Sequence, residues 1–301
     1  MEGIKGIAIS RRMYESLEPL KLSKNIRNTE AEVLEFKHKG LTGPHVLKKM
    51  HYREGAVFGN KLNTLYLLDH YKEYIPPSFC IPDSIVTVGG KVQGLTLPKI
   101  EGQNLADILK DKNVPVTDQL FYLKKAGQLL EQLDRIRKNT ALTDIYINDL
   151  HESNFIVNDK NHELYVIDLD SCKIKDNQPT PAKYLTPTSL VTAVQGKYKL
   201  ADPNCPTYGY IEADENSDLF CYTMMVLNYL YGDSAYKLSL EEYYEYLEYL
   251  RKLNYSDNFI NALQNIVTNH KNENIYPYLE ELTKEQVYRS KENVYKLTKQ
   301  K

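Results

Sequence analysis

The chain has no tryptophan, and its four cysteines (Cys80, Cys172, Cys205 and Cys221) lie far apart with no CxxC pair. That spacing excludes a disulfide frame and a cysteine zinc site, and reads as reduced thiols in a cytoplasmic protein. An excess of charge of one sign is also missing: 38 basic side chains face 40 acidic ones, a net charge of −2. The balance leaves no basic footprint, so neither nucleic acid nor an anionic membrane is an expected partner. No long hydrophobic run is present. The most apolar stretch, 220–231, is too short to span a bilayer and carries Asn228. The opening MEGIKGIAISRRMYE is interrupted by Arg11 and Arg12 and lacks the apolar core of a secretory leader. What is there is ordinary: 301 residues, 42% hydrophobic and 26% charged, enough for two lobes or one large fold. The 25 tyrosines are a compositional bias that names no function.

Hydropathy patterning divides the chain. AEVLEFKH (31–38) alternates apolar and polar positions as a half-buried strand does, GLTG (40–43) turns, and PHVLKKM (44–50) returns. Residues 58–73 place Leu62, Leu65, Tyr66 and Leu68 at helical spacing, and Pro76-Pro77 stops that helix. SIVTVGGKVQGLTLPKI (84–100) reads as a hairpin turning at Gly89-Gly90. Helices dominate after Gly102. The first covers 117–139 with Thr117 as N-cap. Two short strands, NFIV (154–157) and LYVIDL (164–169), follow it, then a polar stretch over 171–213. Three more helices begin at SDLFCYTMM, LSLEEYYEY and DNFINALQN, the tyrosine-rich one packing as an amphipathic helix. The expected class is α+β, with a mainly antiparallel β lobe (1–100) joined to a mainly helical lobe (101–301).

The chemistry-bearing residues cluster around INDLHESNFIV and YVIDLD. Asp149 and Asn154 sit five residues apart between a long helix and a strand, and Asp168 ends the next apolar strand. Magnesium takes hard oxygen ligands, through one or two carboxylates plus nucleotide phosphates, which suits these residue types. The constellation resembles the catalytic core of the protein-kinase-like superfamily. That resemblance implies a bilobal kinase-like fold binding ATP and Mg²⁺ (or Mn²⁺). Asp149 would be the catalytic base, with Asn154 and Asp168 as metal ligands. Lys48, in HVLKK, resembles the kinase lysine that holds the α- and β-phosphates, and is preferred to Lys49 because the preceding HVL fits the apolar run before that lysine. GLTLPKIEG resembles the hinge, giving Leu97 the gatekeeper place, the Pro98 carbonyl and the Ile100 amide the adenine contacts. Asp218 resembles the aspartate that starts a buried helix and anchors the catalytic loop.

Four departures shape the expected activity. The segment SKNIRNT (23–29) has no glycine for close backbone approach to phosphates. No glutamate sits clearly within the 58–73 helix to pair with Lys48, Glu73 being its last residue; Asn63, Asp69 and Glu54 are the nearest polar candidates. Ile147-Asn148 replaces His-Arg before Asp149, which removes activation through an arginine–phosphate pair. His151 replaces a lysine, so that D-L-H-x-x-N resembles the aminoglycoside and choline phosphotransferases, and Asp170 follows the metal aspartate as a further oxygen donor for the metal shell. Three readings stay open: a kinase of protein Ser/Thr hydroxyls (preferred), a small-molecule kinase with acids near 212–215 drawing a cationic substrate, and a nucleotide-binding pseudokinase that serves as a partner-binding module. For the first, Thr180, Thr186, Thr188, Ser189 and Thr192 are the self-phosphorylation candidates.

Overall fold

Strand alternation in the first hundred residues builds one five-stranded sheet in the computed structural model, which describes residues 4–21, 31–180, 212–269, 271 and 273–292. The 23–29 segment, Cys205, Thr186, Thr188, Ser189 and Thr192 lie outside the described residues. The described residues within Met1–Asp107, Asn139–Ile145 and Ser153–Thr180 form one compact unit, and those within Ile108–Lys138, Tyr146–Glu152 and Pro181–Lys301 a second.

In the first unit, β2 (Ala31–Phe36), β3 (His45–Met50), β5 (Lys91–Pro98) and β4 (Ser84–Val88) pair antiparallel in that spatial order. The β4–β5 turn falls at Gly89 (φ 57°) and Gly90 (φ 77°), the left-handed pair that a two-residue hairpin loop requires. A fifth strand, β1 (Lys5–Ile9), closes the far edge parallel to β4 and is followed by the short helix α1 (Arg11–Glu15). Neither is expected from the sequence: KGIAI buries only two side chains and is stabilised by a strand far along the chain. Ile7, Leu34, Phe36, Leu47 and Val86 form the core on one face of the sheet, with Tyr14 and Met13 of α1 packed against it. Lys49 points to that side, bonding Glu32 at 2.8 Å, so Lys48 points to the other.

Gly94 is required by close approach, since a Cβ there would collide with the carbonyl oxygen of Lys48 on the paired strand. Gly94→Ala is expected to cost about 1–3 kcal/mol through overpacking. A lower urea midpoint at unchanged slope would show it.

Helix α2 (Ala56–His70) follows β3. Its buried positions are Lys61, Thr64, Leu65 and Leu68, while Tyr66, expected on the apolar face, is half exposed. The unit is completed by β6 (Gly102–Asn104), the edge of a small antiparallel sheet with β8 (Phe155–Asn158) and β9 (Leu164–Val166). Short α3 (Leu105–Lys110) comes between β6 and the long helix of the second unit, and Ile145–Tyr146 (β7) and Lys173–Ile174 (β10) are two-residue strands.

The second unit is helical. Helix α4 (Val116–Asn139) starts at Val116, so Thr117 is not the N-cap; the Pro115 carbonyl already accepts from Asp118 and Gln119, which puts Thr117 inside the first turn. Helix α5 (Glu215–Tyr231) is almost wholly buried, capped by Asp214 and Ser217 in a capping box and ended by Gly232 at φ 81°. Around it stand α6 (Leu240–Lys252), α7 (Asp257–Asn269) and α8 (Lys284–Glu292), the last not expected because only Val287 and Ser290 are buried among its charges. Three of the buried tyrosines bond backbone or side chain through their hydroxyls: Tyr222 donates to the Leu123 carbonyl at 2.9 Å, Tyr229 to Gln119 at 2.6 Å and Tyr243 to the Leu263 carbonyl at 3.0 Å. Among the described residues no helix is long and apolar enough to cross a membrane.

Candidate functional site

In the first unit the β8–β9 ladder sets the site. Phe155 pairs with Val166, and just beyond it the Asn154 carbonyl accepts from the Ile167 amide at 2.9 Å, so the chain leaves the sheet at Asp168. Asp168 is left-handed, with φ 65° and ψ 48°, a conformation that costs a residue with a Cβ about 1–3 kcal/mol. A 3₁₀ turn, Leu169–Ser171, then brings Asp170 back to the same place. Lys48 reaches both carboxylates, bonding Asp168 Oδ1 and, at 2.8 Å, Asp170 Oδ1.

These groups differ sharply in exposure: the Asp168 side chain is 35% exposed, that of Lys48 11% and that of Asp170 2%. Burial by itself would lower the Lys48 pKa, but the charges of Asp168 and Asp170 outweigh it and hold the ammonium above its ordinary value. Burial, aided by the charge of Asp170, raises Asp168 above the usual carboxylate range. Asp170 is more deeply buried still, yet Lys48, Asp168 as a donor and Lys61 together hold it below that range. One carboxylate is thus firmly ionised between cations, and its neighbour is the exposed one.

The polar residues expected near Lys48 are elsewhere. Asn63 bonds Asn177 at 3.0 Å, Asp69 bonds Lys72 at 2.9 Å and Glu54 is exposed, so Asp168 and Asp170 are the carboxylates that pair with this lysine. Sequence reasoning missed Lys61, although its position four and seven residues before Leu65 and Leu68 puts a lysine in the buried stripe of α2.

Along β5, Leu95 stands opposite Lys48 and Leu97 opposite Val46. Leu97 is buried, Pro98 is exposed and Ile100 lies just past the strand, where the Lys99 amide donates to the Pro44 carbonyl at 2.9 Å. The Cys80 thiol approaches the Pro98 carbonyl at 3.8 Å, and burial pushes that thiol up to about 12, which makes it unreactive. Cys172 and Cys221 are likewise buried.

The second unit holds the loop with Asp149 and His151, whose side chains approach at 3.8 Å between Oδ1 and Nε2. Asp218, at the start of α5, accepts from the backbone amides of Ile147 (3.0 Å) and Asn148 (3.1 Å). Asn148 is itself left-handed, with φ 63°. Burial pushes Asp218 up to about 6, against the pull of the two amides and of Arg137.

Asp218→Ala would leave two buried amides unpaired and is expected to cost about 2–6 kcal/mol, from about 1–3 kcal/mol per orphaned group. Because the folded-state pKa lies above the free value of 3.8, the native state binds this proton more tightly. The stability of wild type relative to Asp218→Asn should therefore rise as pH falls from about 6 towards 4, measured by urea unfolding across that range.

Among the described residues no group of three or more His, Cys, Asp and Glu is arranged to hold a metal. Magnesium does not need one when phosphates supply further oxygens, so a pair such as Asp168 and Asn154 fits its donor chemistry. No protein-family model matches the sequence, and comparison with curated proteins finds no match. Solved structures do match. The Mycobacterium tuberculosis PknI kinase domain aligns with TM-score 0.50 at 12% identity, over 88% of this chain and 92% of that one. The Cydia pomonella granulovirus kinase PK-1 aligns with TM-score 0.50 at 16% identity, over 89% of this chain and 94% of that one. At such identities the likeness establishes the fold alone: the chain has an α+β, protein-kinase-like fold.

Proposed function

We propose that this chain, having the protein-kinase-like fold, is an ATP-dependent phosphotransferase that moves the γ-phosphate to a hydroxyl, with protein Ser/Thr as the preferred acceptor. The observation that carries the reading is the gathering of Lys48, Asp168 and Asp170 into one cluster. A lysine and an exposed carboxylate held together are what a phosphate–metal complex needs on either side. In this reading 1–100 is the nucleotide-covering lobe and 101–301 the catalytic lobe. The Pro98 carbonyl and Ile100 amide meet adenine, with Leu97 behind them.

Asp168 and Asn154 hold Mg²⁺ or Mn²⁺, which when bound neutralises phosphate charge. Lys48 turns from Asp168 to the α- and β-phosphates. Asp149 orients the acceptor hydroxyl and takes its proton, while His151, at 3.8 Å from Asp149, braces that carboxylate or bonds the moving group. Reduced, buried thiols support a cytoplasmic setting.

A second reading, a small-molecule acceptor, is favoured by the D-L-H-x-x-N loop at Asp149–Asn154. The deciding experiment is phosphoryl transfer from γ-labelled ATP with Mg²⁺ and then Mn²⁺, with Asp149→Asn as control and Thr180 among the mapped positions. Label on wild-type protein alone supports a protein kinase. Hydrolysis or transfer only with added small alcohols supports the second reading. Absence of transfer together with retained nucleotide binding would make the chain a pseudokinase.

A further inference from the structure

Asp170 has a second cation besides Lys48. Lys61 of α2 has a side chain only 5% exposed, and its Nζ lies 3.4 Å from Asp170 Oδ2, while Oδ1 takes Lys48 at 2.8 Å. Each oxygen of one buried carboxylate therefore faces a different ammonium. The helix that carries Lys61 is fastened to the segment that carries Asp170. Thr64 donates to the Cys172 carbonyl at 3.1 Å, and Asn177 donates to Thr64 at 2.7 Å and to the Asn60 carbonyl at 3.1 Å.

The charge arithmetic gives this arrangement a purpose. Lys48 alone faces two carboxylates, an excess of negative charge in a desolvated place, which would draw its ammonium onto the pair and away from a phosphate. Lys61 makes the cluster two against two. Removing one partner from a buried ion pair leaves the other uncompensated, a strongly unfavourable state. Asp168, about a third exposed, is left as the carboxylate open to a cation.

We propose that Lys61 is a positioning residue: it fixes Asp170, and Asp170 in turn holds Lys48 at the nucleotide, a lysine-holding role in place of metal ligation. The assignment rests on the ATP reading above, and Lys61 touches no reacting atom in it.

The test uses the full chain with Lys61→Met and Lys61→Arg, each alone and with Lys48→Met, and ATP affinity measured with Mg²⁺. Lys61→Met should weaken ATP about tenfold and Lys61→Arg by no more than about threefold. In the Lys48→Met background, Lys61→Met should add less than about twofold, because its effect travels through Lys48. A loss of equal size in both backgrounds, or none in either, overturns the proposal. An unfolding cycle of Lys61→Met with Asp170→Asn needs no nucleotide, and the double variant should lose less than the two single losses together. Additivity there overturns the pair itself. If wild type binds no ATP, the phosphotransferase reading and the nucleotide role of Lys61 fall together, while a coupled unfolding cycle still retains the Lys61–Asp170 pair. Should Lys61→Met not fold, Lys61→Gln takes its place.

Discussion

Asp149→Asn is expected to lose phosphoryl transfer by ~10²–10⁴-fold, the range for removing a positioned general base. Nucleotide affinity should stay within about twofold of wild type. In the proposed mechanism the two effects separate because the carboxylate would interact with the acceptor proton as it leaves, an interaction made in the transition state and absent from the ATP complex. The substitution is suited to the position. Asparagine keeps the size of aspartate, and the backbone of the loop is held from elsewhere, by Asp218 bonded to the amides of Ile147 and Asn148. Its approach to His151, at 3.8 Å, is too long for a hydrogen bond that asparagine would forfeit. Single-turnover transfer and equilibrium binding of ATP are the two measurements. Parallel falls in both would make Asp149 a structural residue and remove it from the chemistry.

Much of this arrangement is legible in the chain because it is local. The apolar strand before Asp168 and the Gly89-Gly90 turn each depend on a few consecutive residues. Their structural counterparts are the β8–β9 ladder and the β4–β5 hairpin. Strand parity separates the two adjacent lysines, but parity alone leaves open which face each takes. The partners decide that: Glu32 and the Tyr14 ring for Lys49, Asp168 and Asp170 for Lys48.

What is not legible depends on distant partners. β1 exists as a strand because β4 lies beside it in parallel, a pairing that no five-residue pattern announces. A lysine in KLNTLYLL invites a solvent assignment, and Asp170, far along the chain, offsets the burial of Lys61. The carboxylate sought for Lys48 on its neighbouring helix is supplied instead by the turn after β9. Charge pairing in a buried cluster is set by the fold's closure, so a search confined to one helix finds no partner there.

Asp168→Asn should abolish the metal-dependent part of nucleotide binding while leaving a folded protein. The left-handed backbone at Asp168, φ 65°, makes asparagine the right replacement: it tolerates that region well, whereas alanine would add strain to the loss of the carboxylate. The electrostatic consequences for the unliganded protein largely oppose each other. Asp168 has a raised pKa, so its ionisation works against stability at pH above that value, and removing it relieves this. Lys48 has a raised pKa as well, with Asp168 as its largest favourable partner, so part of the stabilisation of the ammonium is lost, though Asp170 remains on it. Stability without ligand should therefore stay within about 1–2 kcal/mol of wild type, the ordinary range for one substitution.

With ATP and Mg²⁺ at roughly a hundred times Kd, wild type gains about 2.7 kcal/mol by mass action. For a chain of 301 residues that is a rise in melting temperature of roughly 4–5 °C. The variant should show little of that rise, and ATP with EDTA should give wild type and variant the same small shift. An undiminished Mg²⁺-dependent rise in Asp168→Asn would take the metal away from this residue and leave Asp168 as a partner of Lys48 alone.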